Sequence, residues 1–324
     1  MGNFLVFIGL VALSYVYIKI AEKFNIIDKP NSRSSHRVPT IRGGGILFVF
    51  AVLIFFFTSD FQYPYFVLGV LVISVVSFVD DLITLNSKIR LPFQFLAVFL
   101  VLFQIGVIAS SFWITLSLLI VGVLLLNIYN FMDGINGITG LYSLSVLLGI
   151  YFINRVELVI NDELLVFSIM SLLVFGFYNF RKKARFFAGD IGSISIAMVI
   201  LFSGLSLMIK LESPMILLLI LVYGVDSLLT LLYKVSIREN LTDPHRHHLY
   251  QKFVDIYKYS HLKVSLVYAG LQMLINFLVF YTYKLDIMNQ YIIFMLIVLI
   301  FIVFYVILFR NIEKKRNFNM YVKR

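Results

Sequence analysis

Long apolar runs alternate with short polar breaks along this chain, and the runs have membrane length. Eleven stretches are mostly apolar: roughly 4–24, 43–58, 64–80, 92–109, 112–130, 137–154, 163–180, 190–209, 214–234, 262–283 and 289–310. A helix needs about 20 such residues to cross the hydrocarbon core of a bilayer, so each run predicts a spanning helix. The second and third runs are short. Only Thr58, Ser59, Asp60 and the Tyr63–Pro64 pair part them, which makes this boundary the weakest. The first run has no basic residue ahead of it and no small-residue cleavage pattern, so it reads as a retained helix and not as a signal peptide. The expected architecture is an all-α integral membrane protein, one polytopic domain over 1–324 with about eleven transmembrane helices. In the 235–261 connection, Phe253, Ile256 and Tyr257 recur at helical spacing between Lys252, Asp255 and Lys258. That suits a short helix at the membrane surface, and equally an ordinary loop helix. No clear internal repeat of the transporter kind is evident.

Charge gives the orientation. When the connections are assigned alternately to two sides, 24 of the 27 Lys and Arg residues fall on one side, leaving Arg155, Lys210 and Lys284 on the other. A miscounted run would scramble this split. Basic residues mark the cytoplasmic side, so the N-terminus is expected outside and the C-terminus in the cytoplasm. Composition agrees: 61% of residues are hydrophobic and 14% charged, against about 25% charged in soluble domains. The net charge of +10 is then a topology and lipid-surface signal, and no nucleic-acid partner is needed to explain it. The absence of cysteine excludes thiol catalysis, thiolate metal sites and disulfides.

Ionisable groups at membrane depth are costly and call for individual explanation. Asp80 and Asp81 end the third run. Asn127 and Asn130 close the fifth, followed by Asp133, Gly134, Asn136 and Gly137. Asp190 opens the eighth within Ala188–Gly189–Asp190–Ile191–Gly192–Ser193, and the ninth is followed by His245, Arg246, His247 and His248. All four groups fall on the basic side. Each has a bland reading: Asp190 as a helix cap, Asp80 and Asp81 as a solvated pair, the glycine-rich stretch as a turn. An acid pair at a helix C-terminus opposes the helix dipole and is not a cap for that helix. The histidines are harder to dismiss, since three of the chain's five lie within four residues; His261 alone reads as structural or interfacial. Aspartate and asparagine oxygens without cysteine suit a hard cation, Mg²⁺ or Mn²⁺. Histidines, Lys88, Arg90 and Arg246 supply donors for phosphate oxygens, and glycines beside Asp133 and Asp190 let backbone N–H groups approach a phosphate. The set fits phosphoryl transfer between two anionic reactants, one soluble and one lipid.

These residues closely resemble the polyprenyl-phosphate N-acetylhexosamine-1-phosphate transferases (glycosyltransferase family 4), which include bacterial GlcNAc-1-phosphate transferases and the phospho-MurNAc-pentapeptide translocase. The resemblance runs in order through Asp28–Lys29–Pro30–Asn31 with Arg33, His36, Pro39 and Gly43–Gly44–Gly45. It continues through Asp80–Asp81 with Lys88 and Arg90, then 127–137, then 188–193, and ends at 245–251. It implies that undecaprenyl phosphate attacks the sugar-linked phosphorus of a UDP-N-acetyl sugar and UMP leaves, in the bacterial inner membrane with the site on its cytoplasmic face. It also implies Asp80 and Asp81 at the catalytic centre, Asp190 as metal ligand and Asp133 beside metal and nucleotide. Lys88, Arg90, Asn130, Asn136, Asn179, His245, Arg246, His247 and His248 are implied as substrate contacts, with the carry-over to Asn179 crossing a loop one residue longer here. A homodimer is left open.

The sequence departs from the family in places. Asn136 and Thr84 stand where members have Asp, three consecutive histidines are lacking, and so is the cell-wall translocase's lysine-rich pattern in the first connection. These departures favour a GlcNAc or 6-deoxy-HexNAc transferase of O-antigen or capsule assembly. A transporter of an anionic phosphorylated substrate is the competing class, with Asp226 as its main intramembrane acid. A CDP-alcohol phosphotransferase is disfavoured because Ile135–Asn136–Gly137 follows Asp133–Gly134. A purely structural protein gives no reason for the histidine cluster.

Overall fold

The computed structural model describes residues 2–30, 38–109, 111–240 and 246–322, with side chains described as far as residue 315. Twelve helices follow in chain order: α1 (Gly2–Lys23), α2 (Ile46–Thr58), α3 (Pro64–Ile83), α4 (Ser87–Ile105), α5 (Phe112–Met132), α6 (Ile138–Glu157), α7 (Asp162–Asn179), α8 (Gly189–Leu211), α9 (Leu221–Ser236), α10 (Leu249–Asp255), α11 (His261–Thr282) and α12 (Ile287–Val322). All eleven expected runs are helical. Among the described residues ten spans, counting Pro214–Ser236 as one, are long and apolar enough to cross a membrane. The exception is α2. Its 13 residues reach only about 20 Å at 1.5 Å per residue, short of the roughly 30 Å of a hydrocarbon core.

Local chemistry sets the helix ends. Pro64 stands at the start of α3, where its missing N–H is no loss. Asn86 caps α4 by accepting from the Lys88 N–H at 2.9 Å, and Gly106 ends that helix with φ +82°, a conformation that favours glycine. Asn161 caps α7, whose first turn carries Asp162 and Glu163, acids that suit the positive end of the helix dipole.

Side-chain ties sort the connections into two ends. At one end Ser59 donates to Glu163 Oε2 (2.7 Å), the Asn161 N–H donates to Tyr63 (3.0 Å), and Lys284 pairs with Glu157 (2.7 Å). Arg155 and Lys284, two of the three residues assigned away from the basic side, lie at this end. At the other end the segments 24–30, 38–45, 81–87, 130–137, 180–189, 236–240 and 246–261 meet. There a two-residue antiparallel pairing, β1 (Ile27–Asp28) with β2 (Thr40–Ile41), is extended by a bridge from Ile41 to Phe186. Buried apolar residues from Leu10 to Ile312 form one core.

The ninth run is not a continuous α-helix. Pro214–Ile220 is 3-10, and α9 begins after it. Backbone groups freed by such a break inside a membrane need partners within the protein. They find them: the Val222 N–H donates to Gln272 Oε1 (3.2 Å), the Tyr223 N–H to the Tyr142 hydroxyl (3.2 Å), and Gln272 Nε2 to the Leu218 carbonyl (2.9 Å). The crevice beside the break is lined by apolar residues such as Leu125, Ile150, Leu205 and Ile216. A broken helix is a feature the transporter reading expects, but here the freed groups are closed by protein partners beside an apolar crevice.

Candidate active site at one end of the bundle

The start of α8 organises the centre. Asp81, at the end of α3, accepts the backbone N–H groups of Asp190 (2.9 Å) and Ile191 (3.2 Å) and the Arg42 Nε (2.7 Å). Its side chain is fully buried. The acid pair is thus no cap for its own helix, but Asp81 caps another helix, across the bundle. Gly189 permits this: its φ is +73°, and a Cβ there would lie 2.4 Å from Asp81 Oδ2. The glycine run 43–45 is packed against the same turn. The Gly44 and Gly45 N–H groups donate to the carbonyls of Phe187 (2.8 Å) and Ala188 (3.0 Å), and a Cβ on Gly45 would meet the Gly192 Cα at 2.0 Å.

Around this turn three carboxylates meet two guanidiniums. Asp80 accepts from the Leu85 N–H and, through Oδ2, from Arg90 Nη1, each at 2.5 Å. The same Arg90 nitrogen donates to Asp190 Oδ2 at 2.9 Å, and Arg42 Nη2 lies 3.4 Å from Asp190 Oδ1. Asp190 keeps 19% side-chain exposure, Arg90 21% and Arg42 31%, so the cluster opens to solvent on the Asp190 side. Lys88, two residues before Arg90, has an exposed side chain outside the cluster.

Beside it, Asp133 ends α5 and accepts from the Thr139 hydroxyl at 2.6 Å. Burial pushes its carboxyl up to about 6, with Asp81 adding to the rise while Thr139 and Arg42 oppose it. Asn136 and Asn179 serve as braces. Asn136 Nδ2 donates to the carbonyls of Arg181 (3.0 Å) and Lys182 (3.3 Å). Asn179 accepts from the Gly137 N–H (2.7 Å) and donates to the Phe186 carbonyl (2.9 Å), tying the Asp133 loop to the approach to α8. These contacts give both amides a positioning role in the loop. Asn130 differs: its buried Nδ2 has no partner.

The histidine segment is anchored from below. Asp226, 2% exposed, accepts from the Leu249 N–H (3.1 Å), Tyr268 (2.6 Å), Tyr305 (3.2 Å) and Thr230 (3.2 Å), and lies 3.3 Å from His248 Nδ1. This satisfied carboxylate is a poor transport site. His247 Nε2 lies 2.9 Å from Glu239, and Arg246 forms a two-pronged pair with Asp255 at 3.0 Å. His245 lies outside the described residues, as do Asn31, Arg33 and His36. The helix in 235–261 is α10, Leu249–Asp255, which lies earlier than expected: it holds Phe253 but ends before Ile256 and Tyr257, and its first turn, Leu249 to Lys252, is buried against the protein. Tyr250 stacks on His248 and donates to the Phe131 carbonyl at 3.3 Å, which brings the histidine segment to the Asp133 loop. Only Gly fits at 134, where a Cβ would lie 2.2 Å from the Tyr250 hydroxyl.

Sequence reasoning counted Arg42 only as a charge and treated Asp226 as a transporter's acid; Thr139 escaped it entirely. Position offered one signal, since Arg42 directly precedes the glycine run. Among the described residues no group of three or more His, Cys, Asp or Glu is arranged to hold a metal ion. The donor set fits a less demanding arrangement. Mg²⁺ commonly takes one or two carboxylates and completes its shell with water and substrate phosphates, and Asp80 Oδ2 and Asp190 Oδ2 already converge on one point, now held by Arg90.

The family model described as glycosyl transferase family 4 matches residues 63–209. That stretch runs from the start of α3 into the last turn of α8 and holds Asp80, Asp81, Arg90, Asn130, Asp133, Asn179 and Asp190. It excludes Arg42 and the histidine segment. No curated protein matches the chain.

Proposed function

We propose that this chain, whose residues 63–209 match the glycosyl transferase family 4 model, transfers an N-acetylhexosamine-1-phosphate from a UDP-sugar to undecaprenyl phosphate at the basic end of its helix bundle. The carrying observation is the cluster of Asp80, Asp81 and Asp190 with Arg42 and Arg90 at one end of a bundle of membrane-length helices. An oxygen of the lipid phosphate forms a bond to the sugar-linked phosphorus, the bond to the UMP oxygen breaks, and UMP leaves with the electron pair. Both reactants are anionic, so the donors that face them decide the rate. Arg42 and Arg90 present guanidiniums at the rim, where they orient phosphate oxygens. Asp80 and Asp190 would hold Mg²⁺ or Mn²⁺, which supplies charge neutralisation as the two phosphates approach. Asp81 fixes the first turn of α8 beneath them. His248, steadied by Asp226, and Asn130, whose buried Nδ2 lacks a partner, are assigned to the nucleotide sugar.

The positive side of the chain is the cytoplasmic side, where soluble UDP-sugars are found and where the inner leaflet of a bacterial inner membrane offers the lipid. The sugar is GlcNAc or a 6-deoxy-HexNAc, and the product initiates O-antigen, capsule or a related envelope glycan. The test is purified protein in nanodiscs with undecaprenyl phosphate and a panel of UDP-N-acetyl sugars. UMP release should require a divalent cation, stop in EDTA and fall by orders of magnitude in Asp80→Asn and Asp190→Asn. Release that survives both substitutions unchanged refutes the assignment. Flux of a phosphorylated solute without turnover would favour the transporter instead.

A further inference from the structure

Arg90 touches the centre in an unusual way. Its Nη1 alone is shared between Asp80 Oδ2 (2.5 Å) and Asp190 Oδ2 (2.9 Å). Arginine binds carboxylates best as a fork, with two nitrogens on the two oxygens of one group. One nitrogen between oxygens of two different carboxylates leaves that fork unused, and the buried Arg90 Nε has no partner at all. A point between two carboxylate oxygens suits a small spherical cation better than a planar guanidinium.

Arg42 provides the contrast. Its Nε sits on buried Asp81 at 2.7 Å, its backbone N–H donates to the Ile26 carbonyl (3.2 Å), and its own carbonyl accepts from the Tyr17 hydroxyl (2.5 Å). Arg42 is locked into the fold. Arg90 is held at its tip, on the first turn of α4. The two carboxyl groups also share a side-chain hydrogen bond with each other, while Asp80 Oδ1 is engaged by the Leu85 N–H and Asp190 Oδ1 faces Arg42.

We propose that Arg90 is a resident counter-ion. It keeps Asp80 and Asp190 together in the ligand-free centre and gives up its place between them when a divalent cation binds, turning to the diphosphate of the incoming nucleotide sugar. This rests on the transferase reading above. Two positive charges do not share one point between two oxygens, so Arg90 and the cation exclude each other there. The diphosphate gives the released guanidinium a better, forked partner. Cation and nucleotide binding are therefore coupled through one side chain, and by linkage the coupling is reciprocal.

The test uses the full chain in nanodiscs with Mn²⁺ as probe, its affinity read by electron paramagnetic resonance with and without UDP, beside thermal melts in EDTA. Arg90→Gln should bind Mn²⁺ alone about tenfold more tightly than the parent protein, within the usual range of coupling between sites, and UDP should then tighten Mn²⁺ far less than in the parent. Arg90→Lys, which keeps the charge but lacks the reach, should lie between the two and carries the test if the Gln variant does not fold. Unchanged or weaker Mn²⁺ affinity in a folded Arg90 variant overturns the proposal while leaving the transferase reading intact. If the parent protein binds no Mn²⁺ even with UDP and releases no UMP, the transferase reading fails first.

Discussion

Asp81→Asn keeps the shape of the side chain and removes its charge, at a place where the charge serves three donors. The carboxylate is fully buried and accepts from Arg42 Nε and from the backbone N–H groups of Asp190 and Ile191. Asparagine offers one oxygen where two stood, and its NH₂ then faces a donor: either Arg42 Nε and the Asp190 N–H, which share Oδ1, or the Ile191 N–H on Oδ2. A lost hydrogen bond to a charged group is worth about 1.5–3 kcal/mol, and stripping one partner from a buried ion pair about 3–5 kcal/mol. The effects overlap, so a loss of about 3–5 kcal/mol is expected, visible as a melting temperature lower by something on the order of 5–10 °C. Turnover should fall as well, because Asp190 rides on the turn that Asp81 caps. Asp190→Asn makes the comparison: its side chain is 19% exposed, so activity should vanish with less than half that change in melting. An Asp81→Asn protein that melts with the parent and yet is inactive would show that Asp81 acts in the chemistry and not as a brace.

Gly189→Ala places a Cβ at φ +73° and 2.4 Å from Asp81 Oδ2; the backbone strain alone is about 1–2 kcal/mol, and melting and turnover should drop together. Gly204→Ala, on the same helix with nothing within 4 Å, should instead raise stability by up to about 1 kcal/mol. Asp226→Asn weakens one charge-assisted contact to the histidine segment and should lower turnover about 10- to 100-fold, measured as kcat and KM beside a melt. Asp133 has a carboxyl raised by burial to about 6, so its ionised form is disfavoured in the fold. Stability should decline as pH rises from the ordinary aspartate range through about 6, while turnover should rise over the same window if Asp133 serves beside the metal as a carboxylate, the role the family resemblance implies. Asp133→Asn should abolish both trends, followed by melts and by UMP release from about pH 5 to 7.5.

Much of this was legible because the membrane imposes two strong patterns. Apolar run length revealed the ten membrane-length spans and the shorter α2 among the described residues, and the basic residues separated the two ends that the Ser59–Glu163 and Asp81–Asp190 contacts define in three dimensions. The short second run was legible as a weak boundary, but not as a helix of 13 residues, because Gly43 to Gly45 interrupt no apolar run while Gly44 and Gly45 pair with Phe187 and Ala188 as loop. The acids could be located but not sorted. Asp80 and Asp81 are neighbours in sequence and a residue apart on one helix, so one faces Arg90 and the other the start of α8, a difference only packing reveals. Asp226 was misleading for a like reason: a buried acid looks functional until its five partners from α9, α11, α12 and the histidine segment are in view.

Those partners also join distant parts of the chain. Tyr268 and Tyr305, which hold Asp226 and through it the histidine segment, belong to α11 and α12. The cluster of aspartates and arginines draws on residues between Arg42 and Asp190, whereas the imidazoles are steadied from the last two long helices. Loosening of α12 should therefore disturb the imidazoles before it reaches the aspartates and arginines.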